Sequence, residues 1–480
     1  METKYLLFIV VLVVSLLGFS LSNIKFSNKI IKLNSDNDYK TDWQKVDSLE
    51  NQGLPKSALE IVEAIYIDAK KHNNTNQIIK SFIYKMKFNN ATEENAFEKS
   101  IYDLQNEIKN TKFPQKNIMQ SMLAEMYWMY YQNNRWNFSN RTQTTNFENT
   151  DIQTWDLNTL SNQVIKNYKA SLENSDSLKT SSLKSFEVLI NKGENTLNLR
   201  PTLYDFLAQR AISFFENKEI TLSKPADFFQ LKEDFYFLPA SEFANYKIET
   251  SDTMSLQFYG IDVLQDLLKF RYPNKNIEAY IDVDLQRLNF VYRNSVNENK
   301  DKLYENALIN LLKTYNNLEF SSNISYFLGV FYKNMGSKLN ANDTSTYIYK
   351  DFNTKAYNIF SKAVELYPNT IAGKKCDYEI KLLKNRTLMV NTEQVLIPNK
   401  AFSALVTYKN IDTLYTKILK INFNDYKEII SSYYGKDQID KLIRKSEKIN
   451  ENNFVVPVDA DFNTHSTELL FNGLNNGLYM

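Results

Sequence analysis

Near residue 395 the hydrophobic pattern of the chain changes period, and that change limits what it can fold into. Before it, apolar residues recur mostly at helical spacing. From Val395 to Phe423 (VLIPNKAFSALVTYKNIDTLYTKILKINF) the rhythm is different. Pro398-Asn399 breaks the chain, and Phe402, Ala404, Val406 and Tyr408 then fall on alternate positions, the period of a half-buried strand. Asn410-Ile411-Asp412 offers turn chemistry, and a β-branched and aromatic run follows from Leu414 to Phe423. Two strands joined by a tight connection are the economical reading. The chain is therefore expected to be mainly α with a C-terminal β portion.

Composition agrees with a helix-rich protein. Only 10 Gly and 9 Pro occur in 480 residues, too few forced turns for an all-β chain, while 43% hydrophobic residues suffice for large cores. Lys and Arg number 57 against 56 Asp and Glu, so no global field recruits nucleic acid. Two His and one Cys fall short of most zinc sites and of most Ser-His or Cys-His catalytic sets. No cofactor or metal is expected, and no enzyme.

The N-terminus predicts export. Lys4 precedes the apolar run Tyr5 to Phe19, and the small residues Gly18, Ser20 and Ser22 follow at cleavage spacing. Cleavage after Ser20 or Ser22 is favoured; an uncleaved anchor over residues 5–20 is the runner-up, and then the only contact with a membrane. Residues 1–22 thus read as signal peptide or anchor, and 23–40 as a polar linker. The expected location is the periplasm or cell envelope. With Cys376 alone no intrachain disulfide is possible.

Helical hairpins are expected over 41–385. Trp43, Val46 and Leu49 mark a first helix; Gly53 suits its C-terminal cap, Pro55 opens the next, and Ala58, Val62, Ile65 and Ala69 form the buried stripe of that second helix. Further helices fit 74–88 and 93–109. Ile118 to Trp136 is dense in Met and aromatic side chains (Met119, Met122, Met126, Trp128), which suits either a peptide groove or, the favoured reading, core packing. Residues 137–155 read as a polar loop. At Arg200, Thr202 and Asp205 form a capping-box start for the stripe Leu203, Phe206, Leu207, Ala211 and Phe214. Capping and surface pairing account for Arg200, Asp205 and Arg210 without catalysis.

After helices at 256–272, 277–292 and 303–318 comes a pattern like a tetratricopeptide repeat. Leu328, Gly329 and Tyr332 match its first helix, and Ala356, Phe360, Ala363 and Pro368 its second, with SKLNANDTSTYIYKD interposed. A tetratricopeptide-like helical solenoid is the expected architecture. Residues 386–480 form the β domain, in which Thr387 to Ile397 leads into the strands described above. Inserted helices are expected at 425–434 and 437–447. In FVVPVDADFN, Val456, Val458, Ala460 and Phe462 are expected on one strand face and Asp459, Asp461 and Asn463 on a solvated one, with calcium ligation the lesser alternative. His465, Thr467, Leu469 and Phe471 continue the strand pattern, 472–477 turns it, and Leu478-Tyr479-Met480 begins another strand.

Four stretches, WQKVDSLENQGLPKSALEIVEAIY (43–66), RPTLYDFLAQRA (200–211), ELYPNTIAGKKC (365–376) and LVTYKNIDTLYTKI (405–418), resemble the N-terminal region of bacterial α-2-macroglobulin-like proteins. The resemblance spans nearly the whole mature chain. It implies a helical region followed by an incomplete macroglobulin-type β-sandwich domain, in an endopeptidase inhibitor family whose members trap a protease when a bait region is cut. The family's thioester motif is Cys-Gly-Glu-Gln; here the cysteine reads Cys376-Asp377-Tyr378-Glu379, which does not match. Lys374 and Lys375 would lower the thiol pKa, but a small buried apolar role is favoured.

The resemblance therefore implies a truncated or split N-terminal portion: a noncatalytic exported envelope protein, unable to trap proteases alone, with a protein partner that is a protease or an envelope protein. The alternative is an independent tetratricopeptide-like scaffold that binds peptides or proteins. The stretch 395–423 is expected either to lie against the helices or to await strands from elsewhere.

Overall fold

A computed structural model describes residues 39–138, 151–191, 193, 196–219, 225–272, 276–430, 436–457 and 460–480. The expected leader and nearly all of the linker lie outside these residues, as do most of the 137–155 loop, the end of the first inserted helix, and Val458 and Asp459. The described chain is mainly helical and closes with a small region of antiparallel strands.

The first hairpin follows from its sequence. Helix α1 (Lys40–Asn51) ends at a turn in which Gly53 takes a φ of +71°, a conformation that favours glycine, and Pro55 opens α2 (Pro55–Lys71). Ala58, Val62, Ile65 and Ala69 are all fully buried on one face of α2. Then come α3 (Thr75–Asn90), α4 (Ala96–Lys109) and α5 (Gln115–Asn133). A helix not anticipated from the sequence, α6 (Leu157–Ser171), packs along α5; the Asp156 carboxylate caps it, accepting from the Thr159 N–H at 2.6 Å. Helix α7 (Leu203–Phe215) starts at the expected capping box, with both Thr202–Asp205 bonds present.

The series continues with α8 (Leu256–Arg271), α9 (Ile277–Asn294), α10 (Lys300–Tyr315), α11 (Ser321–Gly336), α12 (Phe352–Leu366) and α13 (Ile371–Lys384). A single hydrophobic core runs from Ala69 in α2 to Leu383 in α13. The repeat residues meet between α11 and α12. Gly329 lies under the Phe360 ring, so close that a β-carbon there would overlap it, and Leu328, Tyr332, Ala356 and Ala363 are buried around the contact. Pro368 is exposed just past the end of α12. Gly260 of α8 stands in the same relation to Phe290 of α9.

Six strands follow: β1 (Thr387–Thr392), β2 (Phe402–Lys409), β3 (Thr413–Ile421), β4 (Glu447–Val455), β5 (His465–Phe471) and β6 (Leu478–Tyr479). Helices α14 (Phe423–Ile430) and α15 (Lys436–Lys445) separate β3 from β4. The strands form two three-stranded antiparallel sheets, β1-β2-β5 and β4-β3-β6, which share a core of Ala404, Val406, Tyr408, Leu414, Val456, Leu469 and Phe471.

Two sequence expectations are corrected here. The tight connection between β2 and β3 exists, but the strands do not pair with each other; they belong to different sheets. The cause sits at Asn410, whose φ of +53° turns the chain while its amide donates to the Leu383 and Asn385 carbonyls at 2.8 and 3.0 Å, fixing the turn to the end of α13. The second correction concerns 454–471, which is not one strand pattern. β4 ends at Val455, and Phe462 takes a φ of +57° in the connection to β5.

Asn463 is not on a solvated face. It is buried against the helices, donating to the Lys350 carbonyl at 2.8 Å and accepting from Asn353 at 2.8 Å. Asn353 also donates to the Phe462 carbonyl at 3.2 Å, and the Phe462 ring lies 4.7 Å from that of Tyr357. This connection ties the sheets to α12. Asp461 serves it locally: burial pulls its carboxyl upward, but bonds from the Asn463 N–H and from His465 outweigh that and hold it below its usual range.

Candidate binding groove

Helix α5 is apolar nearly all round, and two environments divide it. Met119, Leu123, Tyr127 and Tyr130 are buried in the core. Met122, Met126 and Met129 line a groove whose other walls are Ile79, Ile83 and Met86 of α3 and Leu203, Phe206 and Leu207 of α7. Its volume is about 710 Å³. The core reading of the methionine stripe therefore holds for Met119 and Met126, and Met122 is half-buried against the same core, while Met129 is 36% exposed.

One polar pair crosses the groove. The Arg210 guanidinium pairs with Glu125 and donates through Nε to Ser121 Oγ at 2.8 Å. Beyond it the cleft continues past Trp128, Gln209 and Phe214, where Gln209 and Gln286 exchange amide hydrogen bonds at 2.7 and 3.0 Å. Thioethers and rings around a single ion pair can seat apolar side chains of varied shape while the charges orient backbone or polar groups.

Arg200, Asp205 and Arg210 do not converge. Arg200 reaches Asp282 at 3.3 Å and Arg210 reaches Glu125. Asp205 is buried, not a surface residue, and pairs with Arg271, which is 2% exposed. A second buried pair joins Arg287 to Asp284, and Arg287 also donates to the Tyr236 carbonyl at 2.8 Å. Sequence reasoning missed Arg271 because its partner Asp205 is recognisable only after the helices are packed; Asp284 and Arg287 stand three residues apart on one helix, but their burial too is set by packing.

Cys376 is fully buried in α13. Burial first, and then the nearby Glu379 carboxylate, push its thiol up to about 12. Lys374 and Lys375 are exposed and do not activate it. Among the described residues no three His, Cys, Asp or Glu side chains group as metal ligands, and no helix is long and apolar enough to cross a membrane.

Compared with protein-family models and with curated proteins, the chain matches none.

Proposed function

We propose that this is a noncatalytic exported protein of the cell envelope, built like the N-terminal part of an α-2-macroglobulin-like inhibitor and unable to trap a protease alone. The observation that supports it most is the succession of a continuous helical core and two antiparallel sheets whose strand β1 is exposed along its whole length. That is the order of parts the resemblance implies, with a tetratricopeptide-like array leading into an open macroglobulin-type domain. The buried Cys376 thiol suits a chain without thioester chemistry. Its test mixes the purified mature chain with a broad-specificity protease and follows cleavage of a large protein and of a small peptide substrate. Both rates stay unchanged on this reading; stoichiometric protection of the large substrate alone contradicts it. Export is tested separately by N-terminal sequencing of the mature protein, expected to begin at Leu21 or Asn23.

The methionine-lined groove favours a second reading, an independent scaffold that binds peptides. Selection of displayed peptides on the chain would then enrich apolar sequences, and Met122→Glu with Met129→Glu would abolish the enrichment.

A further inference from the structure

Four of the chain's 10 methionines, Met86, Met122, Met126 and Met129, line the one cleft between α3, α5 and α7, so its thioether sulfur is concentrated at a single place. In a closed core methionine fills irregular gaps. That accounts for Met119, which is fully buried, stands outside the cleft lining, and accepts at its sulfur from the Gln115 amide at 3.7 Å. It does not account for Met129, 36% exposed on the cleft wall, or for Met86 and Met122, both only half-buried.

The spacing along α5 suits one shared ligand. Met122, Met126 and Met129 are four and three residues apart, so they share a helix face with neighbouring β-carbons about 5–6 Å apart. Each sulfur sits two bonds beyond its β-carbon on an unbranched side chain with three rotatable bonds. Three sulfurs bound to one ion at about 2.3 Å lie about 4 Å from each other, a separation that such arms span. Met86 reaches the same cleft from the α3 wall.

Thioethers are soft donors without charge, a set that selects a soft monovalent ion over zinc, calcium or magnesium. Among the described residues, stronger ligands are elsewhere or engaged. Cys376 is buried in α13, neither histidine lines the cleft, and the carboxylate that does, Glu125, is held by Arg210.

We propose that the cleft binds a soft monovalent metal ion of the copper(I) class through the thioethers of Met122, Met126 and Met129, with Met86 completing the set. The ion enters from solvent past the exposed Met129. Binding releases no proton from these ligands, because a thioether carries none.

The test titrates the mature chain with silver(I) nitrate in chloride-free buffer, followed by calorimetry and by the methyl carbon resonances of methionine. Copper(I), added under nitrogen, is then read by X-ray absorption. Saturation at one equivalent is expected, with a shell of sulfur at about 2.3 Å. The methyls of Met86, Met122, Met126 and Met129 should shift while those of Met119, Met254 and Met335 stay. Met122→Leu with Met126→Leu keeps volume and apolarity and should weaken binding at least tenfold, whereas Met254→Leu should leave it unchanged. No saturable binding, a shell of nitrogen or oxygen, or equal affinity in the double variant overturns the proposal. Loss of binding in Cys376→Ser also overturns it, because the ion would then sit on the thiol.

Discussion

The helical region and the sheet region bury their apolar faces to different degrees. From Ala69 to Leu383 the helices share one core, dense enough to enclose Arg271 and Arg287 with their carboxylate partners. The sheets share a core of seven buried residues, and every residue of β1 is exposed. A helix satisfies its own backbone and needs only a neighbour for its stripe, so hairpins can stack until each stripe is covered. A strand needs neighbours for its backbone as well, and among the described residues β3 has β4 on one edge and none on the other from Thr413 to Ile418. The helices thus cover their own stripes, while the described sheets leave one edge of β3 unpaired from Thr413 to Ile418.

The largest effect that would break this contrast lies in the helices. Arg271→Leu leaves Asp205 buried and uncompensated, and should cost about 3–5 kcal/mol in urea unfolding. A loss near zero would mean that the core around α7 and α8 is looser than described. Next is the contact between α11 and α12, where Gly329→Ala drives a β-carbon into Phe360 and should cost about 1–3 kcal/mol. Phe360→Leu, made in the same background, should return part of that loss, as a double-mutant cycle would reveal.

The junction comes third. Asn353→Ala removes the bonds to Phe462 and Asn463 and should cost about 1–3 kcal/mol. Its signature is faster amide exchange over 460–465 with α5 to α9 unaffected. Smallest is Leu388→Ser. Although that position is inward by register, it has no opposing strand, and the change should stay within about 0.5 kcal/mol. Val406→Ala, on the covered strand beside it, should cost distinctly more. Cys376 offers a chemical check on the helices: iodoacetamide should label it slowly in the native chain at pH 8 and rapidly in urea, because burial lifts its thiol to about 12.

Local signals carried much of the fold. The stripe Ala58, Val62, Ile65 and Ala69, the Thr202–Asp205 box and the alternation from Phe402 to Tyr408 each announce an element through residues close in sequence, and each is there. Helix α6 was not singled out although Leu160, Val164 and Tyr168 mark one face, because polar residues separate them and a polar stretch precedes it. The polar start of β4 (EKINENN) was not read as strand, because no apolar alternation appears before Phe454. The placement of β2 and β3 in separate sheets depends on Asn410 reaching the end of α13, a contact that no spacing along the chain encodes. The same holds for the candidate groove. The methionines on α5 were legible, but which of them face the core and which face space is set by α3, α6 and α7.

The central claim is that, among the described residues, β3 from Thr413 to Ile418 is paired on one edge and unpaired on the other. Residue-resolved amide exchange of the unliganded mature chain tests it most directly. Tyr415 and Lys417, whose N–H groups lie on the unpaired edge in step with the Leu419 N–H that bonds Met480, should exchange quickly. Leu414, Thr416 and Ile418, bonded toward β4, should be protected, giving an alternation of period two along one strand. Uniform protection from Thr413 to Ile418 would contradict the claim, because it would mean that the edge is already filled.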